Sequence, residues 1–213
     1  MSVDEAALTE LVARAQAGDA EAFAELFDHY HGPVYRFISS RVGRPSDAED
    51  LTQTVFVKVL EALPRYESRG VPFGGWLFRL ARNTVIDFVR TQRQHQDLEV
   101  VASRAHADPP PDAIAEQREQ IEAVGEALGA LTDEQREVVA LRFFAGLTAR
   151  EAAVAMDKQE GTVRGLQFRA IGALRRQLGI PDPGPGAGPT TTPAAARSSD
   201  SSYRAERRNE SQT

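Results

Sequence analysis

Apolar residues along this chain recur with helical spacing, and no stretch alternates in the manner of a strand. Leu8, Leu11, Val12 and Ala15 form a short stripe that Gly18 ends. Asp19 stands where a helix cap is wanted, and Phe23, Leu26, Phe27 and Tyr30 follow it at i, i+3, i+4, i+7. Gly32 and Pro33 are expected to interrupt that helix before Val34, Phe37 and Ile38 resume the pattern. Gly43 to Pro45 reads as a turn, and Ser46 with Glu49 as a capping box opening a helix to about Ala62. Leu51, Val55 and Val59 give that helix its apolar side. A loop from Pro64 to Gly75 precedes an amphipathic helix from Trp76 to about Arg93, carrying Leu77, Leu80 and Val85.

The character then changes. Residues 94–112 are polar and end in Asp108-Pro109-Pro110-Pro111-Asp112, the composition of a partly extended linker. Helical spacing returns from Ala113 to Leu128, and two capping boxes, Thr132 with Gln135 and Thr148 with Glu151, each open a further helix. A last helix is expected from about Gly161 to Leu178. Beyond Pro181 the chain is Gly, Pro, Ser, Thr and charge, with little to bury, and reads as a disordered tail. The expected fold is all-α: a helical domain over 1–95, a flexible linker over 96–112, a helix-turn-helix domain over 113–180 and a tail over 181–213.

Charge complicates the picture. The net charge of −6 argues against a simple nucleic-acid binder, but the six arginines between Arg65 and Arg93 face only Glu67 and Asp87. Gly161 to Leu178 holds four arginines and no acid. An acidic protein with two basic patches binds DNA weakly alone, because the phosphate contribution is electrostatic, so a partner that supplies affinity is implied. The absence of cysteine removes thiolate chemistry and Cys-type zinc sites, and the four histidines lack a metal-like spacing. No nucleophile–base set or phosphate loop suggests an enzyme, and no cofactor is expected. There is no run of about 18 apolar residues to span a membrane. Asp4 and Glu5 replace the positive charge of a signal peptide, so the chain reads as cytoplasmic.

The segment from Gly146, GLTAREAAVAMDKQEGTVRGLQFRA, carries the chemistry. Thr148 caps a short helix with Ala152, Ala153 and Met156 on its inner face, and Ala153 is small enough for a second helix to cross closely. Asp157 to Glu160 makes the turn, and Val163 falls where the second helix needs its inward anchor. Arg164, Gln167, Phe168 and Arg169 are then expected to face outward, able to read base edges or grip phosphates. A helical hairpin in an ordinary bundle is the plainer alternative.

These motifs resemble the sigma factors of bacterial RNA polymerase. Leu131 to Leu178 is similar to their promoter-binding domain four; residues 19–93, with DAEDLTQTVF from Asp47 and WLFRLARNT from Trp76, resemble domain two. The lack of other sigma domains between them matches the extracytoplasmic-function (ECF) group. The resemblance implies that Asp47, Glu49, Asp50, Gln53 and Phe56 dock on the clamp helices of core RNA polymerase, with Phe56 as apolar anchor. Acids in a first turn also favour the helix dipole, which leaves a purely structural role open. The loop from Tyr66 to Gly75 and the next helix resemble the part that opens the −10 element, where an unpaired base is held in a pocket. Phe73, Asn83 and Asp87 are candidates to hold that base of the non-template strand; Arg79, Arg82, Arg90 and Arg93 either contact phosphate or form a solvated face; Trp76 is either a core residue or a strand-separating wedge. On domain four, Arg164, Gln167, Phe168 and Arg169 become the −35 contacts, with the polymerase flap as a second docking point. An anti-sigma factor is a partner the resemblance leaves open.

Two departures limit the transfer. Gly165-Leu166 stands where Ser-Arg is more usual, and Asp157 replaces a common turn glycine, though Asp tolerates a left-handed backbone. The competing reading is a helix-turn-helix repressor or activator working without polymerase. It needs a dimer interface, and no heptad seam is present.

Overall fold

The computed structural model describes residues 5–68, 70–96 and 123–181, without side chains for 93–96, and every regular element among them is helical. The linker expected over 96–112 and the tail over 181–213 lie almost wholly outside the described residues. In order the elements are α1 (Glu5–Gln16), α2 (Ala20–Ser39), α3 (Pro45–Ala62), a 3-10 turn (Leu63–Arg65) and α4 (Phe73–Gln96). There follow a helical stretch, α5, over 123–129, then α6 (Asp133–Val139) running into a π turn (Ala140–Phe144), α7 (Ala149–Met156) and α8 (Glu160–Gln177).

Local chemistry explains most boundaries. Asp19 caps α2 by accepting from the amides of Glu21 and Ala22. Both later capping boxes form in full, Thr132 with Gln135 and Thr148 with Glu151. Asp157 ends α7 in the left-handed region at φ 55°, the conformation that the missing glycine would have adopted more easily.

Besides α4, which opens at Phe73 rather than Trp76, two boundaries differ from the sequence reading. Pro33 does not interrupt α2, which runs unbroken through it. Leu26 and Tyr30 before the proline, and Val34, Phe37 and Ile38 after it, are all buried. Each such burial contributes about 1.5–3 kcal/mol, so together they outweigh a break of about 3 kcal/mol. Ser46 and Glu49 do not form a capping box either: Arg44 is the cap residue, without a side-chain bond, and Pro45 takes the first helical position. Proline suits that position because its missing N–H would be unpaired there anyway.

The core is continuous through the described chain. Phe37, Ile38, Val55, Val59, Leu77 and Phe78 belong to one buried cluster with Val138, Leu141 and Val163. A satellite of Leu131, Val139 and Ala170 lies under Leu128, Phe144 and Leu174. The described residues up to Ile180 accordingly belong to one compact unit, in which α4 packs on α7 and α2 on the π turn.

Candidate polymerase and DNA surfaces

On α3 the side chains of Glu49, Asp50 and Gln53 are exposed and Asp47 is half-buried. Phe56 does not join them. It is 6% exposed and packs against Phe27, with ring centroids 4.6 Å apart, and near His31. The buried arc of α3 also takes in Ala48 and Thr52, wider than the Leu51, Val55, Val59 stripe that the sequence suggested. The apolar side chains that do reach the surface are Val57 and Leu60, both 56% exposed. They sit four and seven residues after Gln53, on the same face.

The loop into α4 is pinned from both sides. Gln16 Nε2 donates to the carbonyls of Leu63 (2.9 Å) and Tyr66 (2.7 Å), and the Tyr66 hydroxyl donates to the Val71 carbonyl at 2.7 Å. Phe73 opens α4 and is buried within an aromatic cluster of Tyr30, Tyr66 and Trp76, at centroid distances of 5.4–5.5 Å. Phe73 therefore does not stand free to stack on a base, because the i, i+3 register of α4 turns it inward beside Trp76. Trp76 is half-buried against Tyr66 and Phe73, which favours its core reading. Asn83 and Asp87 are exposed one turn apart, as their spacing suggested.

The arginines of α4 meet acids. Arg79 lies 3.7 Å from Asp157, with both side chains mostly exposed. Arg82 grips Glu137 with two bonds, Nε to Oε1 at 2.6 Å and Nη2 to Oε2 at 3.3 Å, and the Glu137 side chain is only 7% exposed. Gly75 has a specific role here. A Cβ at Gly75 would sit 2.9 Å from Val154 Cβ and 3.1 Å from the Glu151 carbonyl, so glycine is what admits α7 at this distance there, while one at Gly74 would sit 2.5 Å from Glu151 Oε1 and require only that flexible carboxylate to swing aside. Arg150 Nη2 donates to the Gly70 carbonyl at 2.9 Å and Arg36 Nε to the Phe144 carbonyl at 2.9 Å. Burial, then the charge of Glu151, push the Tyr30 hydroxyl well above the usual phenol range. Sequence reasoning passed over Glu137 and Gln16, and gave Tyr30 and Glu151 only their local roles in a helix stripe and a cap. Their partners are too distant along the chain for any local pattern to connect them.

On α8, Arg164 and Arg169 are exposed and Phe168 is 78% exposed, a large apolar ring left in solvent. Arg164 pairs with Glu160 at 2.5 Å in its own helix. Gln167 departs from expectation. It is 8% exposed and accepts from Arg142 Nε at 2.9 Å, because it lies on the buried arc of Val163, Leu166 and Ala170. Arg142 also donates to the Leu147 carbonyl, which fixes the approach to α7. Burial, then the nearby Arg164, holds the Arg142 guanidinium below its ordinary range. Thr162, exposed two turns before Arg169 and on the same side of α8, is an outward polar residue that the sequence reading left out.

Among the described residues no group of three or more His, Asp or Glu side chains could hold a metal ion, and no helix is long and apolar enough to cross a membrane.

Comparison with known proteins identifies the family. Sigma-70 region 2 matches residues 26–95 and Sigma-70 region 4 matches residues 127–176. The ECF RNA polymerase sigma factor BldN of Streptomyces coelicolor is 39% identical over 178 residues, which is 82% of this chain and 67% of BldN. ShbA of Streptomyces griseus, another ECF RNA polymerase sigma factor, is 37% identical over 175 residues, 78% of this chain and 92% of ShbA. Among solved structures, CnrH in complex with the cytosolic domain of CnrY aligns with a TM-score of 0.60 at 25% identity, covering 79% of this chain and 95% of that one. With both regions matched in order, and relatives covered over most of their length, this chain belongs to the ECF sigma factors of RNA polymerase.

Proposed function

We propose that this sigma factor joins core RNA polymerase through the exposed face of α3, holds the −35 duplex with α8 and captures the melted −10 strand beside α4. It acts as a non-enzymatic specificity subunit, in the cytoplasm where polymerase and chromosome meet. A regulatory protein partner is part of the proposal, by likeness to CnrH, whose solved structure contains the cytosolic domain of CnrY.

The observation that carries the reading is the outer face of α8. Thr162, Arg164, Phe168 and Arg169 are exposed there while Val163, Leu166, Gln167 and Ala170 hold the helix to its support. Two cations, a hydroxyl and an apolar ring suit a major groove: arginine for guanine edges or phosphate, and the ring for a thymine methyl. Gln167 has no part in this contact, since it is bonded to Arg142. On α3, Asp50 and Gln53 with Val57 and Leu60 offer a polar rim beside apolar anchors, the make-up of a docking patch. Asn83 and Asp87 remain the groups able to hydrogen-bond a base extruded from the duplex.

The docking half is tested by pull-down of purified core polymerase with Asp50→Lys/Gln53→Ala and with Val57→Asp/Leu60→Asp. Both double variants are expected to lose polymerase and keep wild-type helicity, since all four side chains lie outside the core. Undiminished pull-down by the folded variants would contradict the assignment.

A further inference from the structure

Two glycines lie in the interior of α8, Gly165 and Gly172, although glycine there favours the helix less than alanine does. Neither has the left-handed backbone that would require it. Gly165 sits in the outward face of the helix, with Thr162 before it and Phe168 and Arg169 after it. Spacings of three and four residues make these its neighbours on the helix surface. A Cβ at Gly165 would sit 3.4 Å from Arg169 Nη1 and, apart from its chain neighbours and its own helix backbone, would meet nothing else within 4 Å. The Arg169 guanidinium therefore lies back across the place where a side chain at 165 would stand.

Direction and charge make that placement useful. Helical side chains lean toward the N-terminus, so Arg169 reaches the level of the preceding turn. The N-terminal turns of a recognition helix are the ones that meet base edges in the major groove. Arg164, the other outward arginine of those turns, has one edge of its fork engaged, since Nε and Nη2 both donate to Glu160 Oε1, at 3.0 and 2.5 Å. Arg169 is exposed, and among the described residues no carboxylate engages it. Its fork is the one left to pair with O6 and N7 of a guanine.

We infer that Gly165 sets the −35 specificity of this chain: its missing side chain lets Arg169 reach back into the base-reading half of α8 and recognise a guanine there. Gly165 acts through Arg169 and contributes space. The inference rests on the reading of α8 as the −35 helix. A side chain at 165 turns Arg169 toward the phosphates at the rim of the groove, so specificity falls further than affinity.

The test uses holoenzyme reconstituted from core polymerase and the full chain. Run-off transcription is read on a promoter library randomised across the −35 and −10 elements. Wild type is compared with Arg169→Ala, Gly165→Leu, Gly165→Ala, Gly165→Leu/Arg169→Ala and Gly172→Leu. Wild type should favour guanine about tenfold at the −35 position where Arg169→Ala removes the preference. Leucine at 165 fills the space and cannot hydrogen-bond a base, so Gly165→Leu should bring the same preference to within about twofold. Its −10 preferences should not change. The double variant should lose no more, because both changes disable one contact. Gly165→Ala adds only a Cβ against a movable guanidinium and should weaken the preference in part; it carries the test if Gly165→Leu fails to hold polymerase. Gly172→Leu makes the same change in helix propensity two turns further on and should keep the preference.

Retention of the guanine preference by polymerase-bound Gly165→Leu would overturn the inference, as would losses that add in the double variant. Preferences untouched by Arg169→Ala would overturn it by making Arg169 a phosphate contact only. Loss of the preference in Gly172→Leu would do the same, since helix propensity would then account for both glycines. In each of these cases selective transcription would leave the proposed function standing. Wild-type transcription indifferent to every −35 base would instead count against that function's reading of α8 and remove the inference with it.

Discussion

The two matched regions build the same kind of helical framework from different side chains. The region 2 half buries Tyr30, Phe37, Phe56, Tyr66, Phe73 and Phe78, whereas the fully buried positions of the region 4 half hold no aromatic ring. Ala140, Ala149, Ala152, Ala153, Ala155 and Ala170 are buried there instead, and Phe143 and Phe168 point into solvent at 55% and 78% exposure. Alanine lets the short helices cross closely but contributes little apolar area per residue. An eight-residue helix such as α7 is too short to persist alone, so capping boxes and polar ties must supply what ring packing does in region 2. Arg136 illustrates the ties, donating to the carbonyls of Leu128, Gly129 and Leu131 at 2.9–3.2 Å. Region 4 thereby leaves Phe143 and Phe168 in solvent and draws its stability from caps and polar ties.

That contrast can be broken from either side. Phe78→Ala should cost about 3–5 kcal/mol, because it empties the centre of the region 2 core. Trp76 is the only tryptophan of the chain and sits in this half, so its fluorescence transition should fall in step with the far-UV circular dichroism melt. Region 4 should fail by enlargement rather than deletion. Ala153→Leu, at a position 5% exposed between crossing helices, should cost about 1–3 kcal/mol, with the Trp76 transition moving less than the helical signal. Asp157→Val should cost about 1–2 kcal/mol, since a β-branched residue resists the left-handed backbone that Asp157 adopts, while Asp157→Gly should not destabilise. Smallest, Thr148→Ala should cost about 1 kcal/mol by removing the α7 cap, read from denaturant midpoints at constant slope. Equal responses of both halves to deletion and enlargement would remove the distinction.

Local signals were legible in the sequence to a high degree. The Asp19 cap, two of the three expected capping boxes and the left-handed Asp157 all depend on residues within a few positions of one another. Periodicity located the helix faces but not the width of the buried arcs. Phe56, Phe73 and Gln167 all lie at the margins of such arcs, and packing decided that each turns inward. Pro33 was misjudged for a related reason: local propensity argued for a break, and the core on both sides of it argued more strongly for continuity. The contact between the two halves was illegible. Arg82 and Glu137 are 55 positions apart, and nothing local to either marks it as half of an ion pair. At Gly75 the backbone is approached closely by α7, a contact that no residue nearby in the chain announces.

The central claim is that this chain confers promoter specificity on polymerase. Run-off transcription with purified core polymerase, on a library of promoter fragments with and without the chain, tests it most directly. A subset of fragments should yield transcripts only when the chain is present, and Asp50→Lys/Gln53→Ala should abolish them. Transcripts that are merely repressed by the chain, or that do not depend on it, would contradict the account.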